Sequence, residues 1–154
     1  MAFEGEVVSI HVAPEAGASL QPVVEANVTA QGIEGDRYAV SGGTYSKKPG
    51  AGRAVTLVEI EALEALAREE GVALEPGALR RNVVTRDVPL NHLVGREFSV
   101  GEVVLRGVRL CEPCAYLAEK TETDVRRSLA HRAGLRAEVV REGVIRAGDT
   151  VRPC

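Results

Sequence analysis

Aromatic residues are scarce in this sequence, at 3% of the chain, and tryptophan is absent. Base-stacking platforms of the kind that bind single-stranded nucleic acids are therefore not expected. The net charge is −3, and the 19 lysines and arginines are spread along the chain. Bulk electrostatics thus give no reason to predict nucleic-acid binding, but they do not exclude a local basic pocket that binds a small anion.

Cysteines are few as well: there are 3, an odd number, and one of them is the last residue, Cys154. They do not make a disulfide framework, which favours a reducing cytoplasm. No apolar run approaches the ~20 residues that span a bilayer, so no membrane association is expected. The opening "MAFEGEVVSI" lacks a basic segment followed by an apolar core, so we expect no signal peptide.

The composition is that of an ordinary soluble globular protein, with 45% hydrophobic and 27% charged residues. At 154 residues the chain can bury a sizeable core, and no repeat or linker divides it. We therefore expect one domain over residues 1–154.

Alternation with period two, rich in valine and bounded by glycine or proline, predicts strands along much of the chain. The predicted strands are Gly5–Val12, Pro22–Ala30, Arg53–Val58, Arg81–Thr85, Glu97–Val100 and Gly101–Leu110, followed by a hairpin-like pair around Glu142-Gly143 and a turn at Gly148-Asp149. Helical spacing appears in "VEIEALEALAREEG", with Ile60, Leu63, Leu66 and Ala67 on one face and Gly71 as C-cap, and in "EKTETDVRRSLAHRAG". These elements predict an α+β fold that is mainly β, an antiparallel sheet or barrel with a few short helices.

A glycine-rich segment, Gly32–Arg53, contains no clear strand or helix pattern and is predicted to be a long loop. Such loops in compact domains are usually functional or disordered. Asp36 and Arg37 are either a pair that closes a turn or part of a pocket rim. Arg80-Arg81, just before an apolar strand, is either a local anion site or a solvated edge.

The pair Cys111-x-x-Cys114 in "GVRLCEPCAYLAEK" has several interpretations. Structural zinc usually needs four ligands, and here no second Cys or His pair accompanies these two. A thioredoxin-like disulfide is expected in a βαβ setting, which the chain lacks. Cys111, at the end of an apolar strand, is predicted to be a small buried hydrophobe. Cys114, after Pro113, is either buried in the same way or a thiolate exposed at a strand end.

Several stretches, taken in order, resemble the MOSC domain, the module named after the C-terminal part of molybdenum cofactor sulfurase. They are "GIEGDRYAVSGG", "RAVTLVEIEALEAL", "PGALRRNVVT", "VGREFSVGEVVLRGVRLCEPC" and "GLRAEVVREGVIRAGDTV". The resemblance runs from Gly5 to Val151 and places the family's signature cysteine at Cys114. It implies a barrel-like fold and a molybdenum–pterin cofactor, with Cys114 as the ligand to molybdenum.

The same resemblance implies which residues surround the cofactor. Arg80 and Asn82 match the family's Arg-x-Asn near the pterin, and Arg37 lies in the segment at the pocket rim. Arg53 and Thr56 are carried over from the next strand. Departures are Ser41, where the family often has His, and the extra run "TYSKKPGAG". Asp149 is predicted to be a turn residue rather than a catalytic acid.

Two functions compete. The resemblance implies an oxidoreductase that reduces N-hydroxylated small molecules, with electrons from a separate donor protein. Alternatively, Cys114 accepts sulfur from a donor protein as a persulfide and carries it to a metal centre. A binding module without chemistry is the third option. Larger relatives close the cofactor with an N-terminal β domain, so we expect an open site or a wall supplied by a partner, for example in a homodimer.

Overall fold

The computed structural model describes residues 1–15, 17–40, 54–112 and 127–154. Strand Glu97–Val100 alternates buried and more exposed side chains, as the period-two pattern predicts, whereas Val55–Glu59 and Val83–Arg86 are buried on both faces. In chain order the elements are β1 (Gly5–Val12), β2 (Gln21–Val23), β3 (Glu25–Thr29), β4 (Gly32–Ile33), α1 (Arg37–Val40), β5 (Val55–Glu59), α2 (Ile60–Glu70), β6 (Val83–Arg86), β7 (Glu97–Val100), β8 (Val103–Leu110), β9 (Leu135–Arg141), β10 (Gly143–Arg146) and β11 (Thr150–Pro153), with 3₁₀ turns at Pro76–Leu79 and Leu90–Leu93.

The main sheet closes into a mixed barrel of 7 strands. Its strands lie in the order β11-β7-β8-β9-β5-β6-β1, and β11 pairs with β1 to complete the circle, while β2 extends from β1. The predicted mainly β, barrel-like fold is therefore confirmed. It is not wholly antiparallel, because β5 and β6 are parallel. The helix α2 lies between them in the chain and supplies the crossover that parallel strands require.

Hydrophobic residues fill the barrel and the space beneath α2. Val55 and Leu57 of β5 point inward, whereas Val58 packs outward against Leu63 and Leu66 of α2. Because successive strand residues face opposite sides, Thr56 lies on the outer face, beside Val58. The outer face of β5 thus carries the helix at one end and leaves room for a polar site at the other.

The helix predictions are confirmed in part. α2 ends at Gly71, which has φ 70° and donates its N–H to Ala67 O as the predicted C-cap. Ala62 and Ala65 are buried in place of the exposed Ala67, so the apolar face is rotated from the predicted one. Residues 127–134, the described part of the second predicted helix, form turns. Leu129 and Ala133 are buried there beneath α2.

The predicted hairpin around Glu142-Gly143 is wrong in its pairing. β9 and β10 do separate at Glu142, but β9 pairs with β5 and β8. β10 pairs instead with β3, in a small second sheet that also contains β4. β9 and β10 do not form a hairpin, because each of them pairs with strands that are distant from it in sequence. The turn at Gly148-Asp149 is confirmed, with the Asp149 carboxylate accepting a hydrogen bond from Arg146 N at 2.8 Å.

The predicted long loop, Gly32–Arg53, is structured in its described part. Gly32–Ile33 is a strand, and Arg37–Val40 is a single helical turn. The part of the segment after Val40, including Ser41, the Gly42-Gly43 pair and Arg53, lies outside the described residues. In the described part of the chain, no helix is long and apolar enough to cross a bilayer.

Candidate functional site

Asn82 joins three strands where β6 begins. Its Oδ1 accepts hydrogen bonds from the backbone N and from Oγ1 of Thr56, both at 3.1 Å. Its Nδ2 donates to His11 O at 3.1 Å, and its own backbone N donates to Thr56 Oγ1 at 3.0 Å. Both side chains are 0% exposed. Asn82 and Thr56 therefore hold β1, β5 and β6 in register through bonds that satisfy buried backbone groups.

Asp36 and Arg37 form a buried ion pair at 3.1 Å. The same Asp36 oxygen accepts a hydrogen bond from Ala13 N at 3.0 Å. Arg37 uses its other terminal nitrogen to donate to Arg80 O at 3.1 Å. The pair thus connects the segment after β4 to the chain before β6, and Arg37 contacts the backbone of Arg80.

Arg80 adopts the left-handed conformation, with φ 61°. This conformation is unfavourable for a residue with a Cβ by about 1–2 kcal/mol. It is held by the bond from Arg37 and by Arg80 N donating to Gly77 O at 3.1 Å. The guanidinium donates to Ala18 O at 2.7 Å and is largely buried. The Arg80 side chain also forms part of the wall of a neighbouring cavity.

This cavity has a volume of about 540 Å³ and is lined by residues that include His11, Ser19, Glu75, Gly77 and Arg80. Nε2 of His11 is 2.8 Å from Ser9 Oγ. Burial lowers the pKa of His11, so its imidazole is neutral near pH 7. A Cβ on Gly77 would lie 3.0 Å from His11 Nδ1, so glycine keeps the histidine side of the cavity open. The cavity lies within the size range of small-molecule sites.

Arg81 reaches the chain just before β9. Its Nε donates to Ala133 O at 2.8 Å, and its side chain is mostly buried. Gly134, with φ 124°, packs so closely that a Cβ there would overlap Leu57 O and lie 3.2 Å from Arg81 Nε. Gly134 O in turn accepts a hydrogen bond from Cys111 N at 2.8 Å. Arg81 and the end of β8 are therefore joined through Gly134.

Two arginines that the sequence reasoning did not single out continue the row formed by Asn82 and Thr56. Thr56 lies opposite Arg136 of β9, and Arg136 lies opposite Arg109 of β8. Opposite residues on neighbouring strands share a face, so these side chains form a row on the outward-facing side of the barrel wall, buried at Asn82 and Thr56 and exposed at Arg109. Nη1 of Arg136 is buried and has no hydrogen-bond partner among the residues that the structure describes. Only the strand pairing reveals this row, because Arg109 and Arg136 belong to motifs that are distant in the sequence.

The structure brings Arg37, Thr56, Arg80 and Asn82 together at one end of the barrel. Cys114 and Arg53 lie outside the described residues, as do Pro113, Lys47 and Lys48. Cys111, the last buried residue before that gap, is 4% exposed, as predicted for a small hydrophobe. Cys154 is an exposed free thiol. Among the described residues, no group of His, Cys, Asp and Glu side chains could hold a metal ion.

The ends of the stretch that contains Cys114 are tied to one another. His131 donates its backbone N–H to Glu112 Oε1 at 2.7 Å, and its Nδ1 is 2.6 Å from Glu112 Oε2. The hydrogen bond from the His131 backbone, with help from its side chain, lowers the pKa of Glu112. His131 itself has φ 63°, which directs its N–H toward the carboxylate. Residues 112 and 131 therefore sit side by side next to β8 and β9.

Comparisons with known proteins agree with this architecture. The sequence matches the MOSC domain family over residues 26–152. The fold is similar to that of the YuaD protein from Bacillus subtilis, with TM-score 0.82 and 19% identity over 99% of this chain and 96% of that chain. For YiiM from Geobacillus stearothermophilus the TM-score is 0.78, with 18% identity over 97% of this chain and 75% of that one.

YiiM from Escherichia coli is also similar, with TM-score 0.69 and 19% identity over 100% of this chain and 70% of that one. At these identities the structural likeness shows the fold alone. No curated protein gives a significant match to the sequence.

Proposed function

The chain belongs to the MOSC domain family, and from this we propose that it binds a molybdenum–pterin cofactor and reduces N-hydroxylated compounds to amines. In this proposal Cys114 is the thiolate ligand of molybdenum and the catalytic cysteine. Arg37, Arg53, Thr56, Arg80 and Asn82 form the surroundings of the cofactor. Electrons come from a separate donor protein, and the substrate is a small molecule.

The observation that carries the proposal is the concentration of arginines at the end of the barrel from which the chain leaves β8 toward Cys114. Arg109 and Arg136 lie opposite each other near the end of β8, and Arg81 donates to the carbonyl of Ala133, next to the Gly134 that binds Cys111 N. The buried Nη1 of Arg136 lacks a partner, which is an unfavourable state that an anionic ligand would relieve. A cofactor that ends in a phosphate fits such a donor set, because arginine binds phosphate through paired N–H groups.

Residues of this chain would shape the site in distinct ways. Asn82 and Thr56 would hold the backbone beneath the cofactor in place, since their side chains form hydrogen bonds with each other and Asn82 also donates to His11 O. Arg37 holds Arg80 in its left-handed conformation, and Arg80 faces the neighbouring cavity. Nearby cations favour the thiolate form of a cysteine, which is the form that ligates a metal.

When bound, the molybdenum centre would supply the two electrons that remove the hydroxyl oxygen of the substrate as water. Cys114 follows Cys111 by three residues, so covalent geometry keeps their Cα atoms within about 11 Å of each other. The backbone of Cys111 is fixed by its bond to Gly134 O. This anchor supports a thiolate near the arginine-rich end of the barrel.

The test is metal and pterin content. The protein is produced in a host that synthesises the cofactor, and molybdenum and pterin per chain are measured for the natural sequence, for Cys114→Ser and for Cys154→Ser. We expect the cofactor to be lost only in Cys114→Ser, because Cys154 is an exposed thiol with no part in the proposal. Equal molybdenum in all these proteins, or none in the natural one, would contradict the proposed function.

A sulfur carrier gives a different result in the same proteins. In that case a cysteine desulfurase transfers sulfur to Cys114, and mass spectrometry finds one added sulfur atom on this residue without any pterin. Reaction with an alkylating agent separates both functions from a module without chemistry. A Cys114 thiol that reacts no faster than an ordinary buried thiol would contradict both active roles.

A further inference from the structure

Arg109 and Arg136 stand directly opposite each other on neighbouring strands. Opposite residues on one face have Cβ atoms about 5 Å apart, and like charges in this arrangement are destabilising. Arg136 is half-buried and Arg109 is exposed, so water screens the pair only on one side. In the part of the chain that the structure describes, neither guanidinium forms a hydrogen bond or an ion pair.

The neighbouring pair on the same face shows how these strands normally neutralise an arginine. Arg106 lies opposite Glu138, at the same strand pair. Its Nη1 donates to Glu138 Oε1 at 2.7 Å, and its Nη2 contacts Glu97 Oε2. Arg106 therefore has one carboxylate from β9 and one from β7, while the next outward-facing pair along β8 and β9 is made of arginines alone. This contrast locates an excess of positive charge at Arg109 and Arg136.

The orphaned donor of Arg136 points the same way. Within the described ranges of the chain, Nη1 is buried and has no partner, although a buried unpaired donor is unfavourable and rare. Thr56, opposite Arg136 on the other side, uses its hydroxyl to donate to Asn82 Oδ1 and to accept from Asn82 N. A ligand that accepts hydrogen bonds from Nη1 and neutralises both charges would remove the repulsion and the orphaned donor together.

We propose that Arg136 and Arg109 bind the phosphate group of a phosphate monoester on the outer face of the barrel. A phosphate monoester carries close to two negative charges near pH 7 and offers three acceptor oxygens, which matches two adjacent guanidinium groups. A carboxylate has one charge and two oxygens, so it would leave one arginine uncompensated. The identification of this group as the phosphate end of the cofactor rests on the proposed function; the phosphate site itself does not.

The test uses inorganic phosphate as the probe. Isothermal titration calorimetry is carried out in a buffer free of other multivalent anions, on the natural protein and on Arg136→Gln, Arg109→Gln and Arg152→Gln. Arg152 is the matched control: it makes the same charge change on β11, where it is exposed and paired with Glu4. All variants are first checked for a cooperative thermal transition.

We expect saturable binding with one phosphate per chain. Arg136→Gln should weaken the binding at least tenfold and Arg109→Gln severalfold, whereas Arg152→Gln should leave it unchanged. Absence of saturable binding to the natural protein, or equal weakening by Arg152→Gln, would overturn the proposal. Equal affinities of the natural protein and Arg136→Gln would do the same.

Thermal stability gives a second readout that does not depend on activity. Without phosphate, Arg136→Gln should melt at the same temperature as the natural protein or a few degrees higher, because the repulsion and the orphaned donor are removed. Saturating phosphate should raise the midpoint of the natural protein and not that of the variant. A midpoint that falls in Arg136→Gln without phosphate, and still rises when phosphate is added, would contradict the site.

Pterin content separates the two sources of the phosphate. If Arg136→Gln loses both phosphate binding and pterin, the group belongs to the cofactor. If it loses phosphate binding and keeps its pterin, the site takes the phosphate of another small ligand. If the natural protein contains no pterin at all, the proposed function fails while the phosphate titration still decides the site.

Discussion

At the scale of the residue, Asn82 is the clearest case of a side chain that matters because it supplies hydrogen bonds to buried backbone groups. It provides partners for the backbone of Thr56 and His11, which have no water available. An apolar side chain such as leucine or alanine could not form hydrogen bonds with these two backbone groups. The Arg-x-Asn motif indicated that this position matters, while the structure shows which atoms depend on it.

Asn82→Ala should lower the free energy of unfolding by about 2–4 kcal/mol, because it leaves a buried N–H and a buried carbonyl without partners. Urea denaturation measures the change. Asn27→Ala is the matched control, since Asn27 is exposed and bonds only Glu34 through its side chain. A loss in Asn82→Ala no larger than that in the control would contradict the role assigned to the amide.

Arg37 shows how a residue can be found by its motif and still have an unexpected environment. The motif placed it at a pocket rim, and the structure buries it against Asp36 and the backbone of Arg80. The alternative drawn from the sequence, a pair with Asp36, describes these contacts. A role for Arg37 at the cofactor remains part of the proposal, exerted through the position of Arg80.

At the scale of the element, strands and the helix α2 follow from local patterns, but their partners do not. β1 and β7 have the predicted bounds, and α2 ends at the predicted glycine. The pair β9 and β10 was expected to form a hairpin because it is adjacent in sequence, and each strand joins a different sheet. Period-two alternation determines which side chains of a strand share a face, but it does not determine which strand pairs with it.

Gly134 tests how closely β9 must approach β5. Gly134→Ala should lower the free energy of unfolding by about 2–4 kcal/mol, since it combines an unfavourable φ with overlap against Leu57 O. Gly71→Ala provides the control, because Gly71 also has a positive φ but nothing within 4 Å of a Cβ. That variant should lose about 1 kcal/mol. Similar losses in both, measured by urea denaturation, would show that the contact at Leu57 O is unimportant.

At the scale of the whole molecule, the barrel closes through the two ends of the chain. β11 pairs with β1 and β7, so residues that are far apart in sequence become neighbours. The parallel pair β5 and β6 brings Thr56 next to Asn82. The row from Asn82 to Arg109 follows from the pairing of four adjacent strands, β6, β5, β9 and β8.

Global stability should fall at mildly acidic pH through His11, which lies where β1 meets the cavity shared with Glu75 and Arg80. Burial holds its folded pKa below the ordinary value of about 6.5, so the unfolded chain takes up a proton first. The stability that the folded protein has with His11 neutral is therefore fully present above about pH 6.5, and the free energy of unfolding decreases as the pH falls below that value.

His11→Gln should reduce this acid sensitivity. The difference in free energy of unfolding between pH 7.5 and pH 5.5, from urea denaturation, is compared for the two proteins. The raised pKa of half-buried Glu59 acts in the opposite sense and is present in both proteins, so its effect cancels. An identical pH dependence in the variant would show that His11 is not the group responsible.

The sequence by itself determined the class of the fold, the position of most strands, the helix α2 with its glycine cap, the burial of Cys111 and the family. These features depend on local spacing and on residue type, which a linear pattern records directly. Only the tertiary structure decided that the barrel contains a parallel pair, that Arg37 supports Arg80, and that Arg109 and Arg136 face each other without a counter-ion among the described residues. The reason is physical: a sheet makes neighbours of residues through hydrogen-bonded pairing over long sequence separations, and a single strand carries no information about the charge that will lie opposite it.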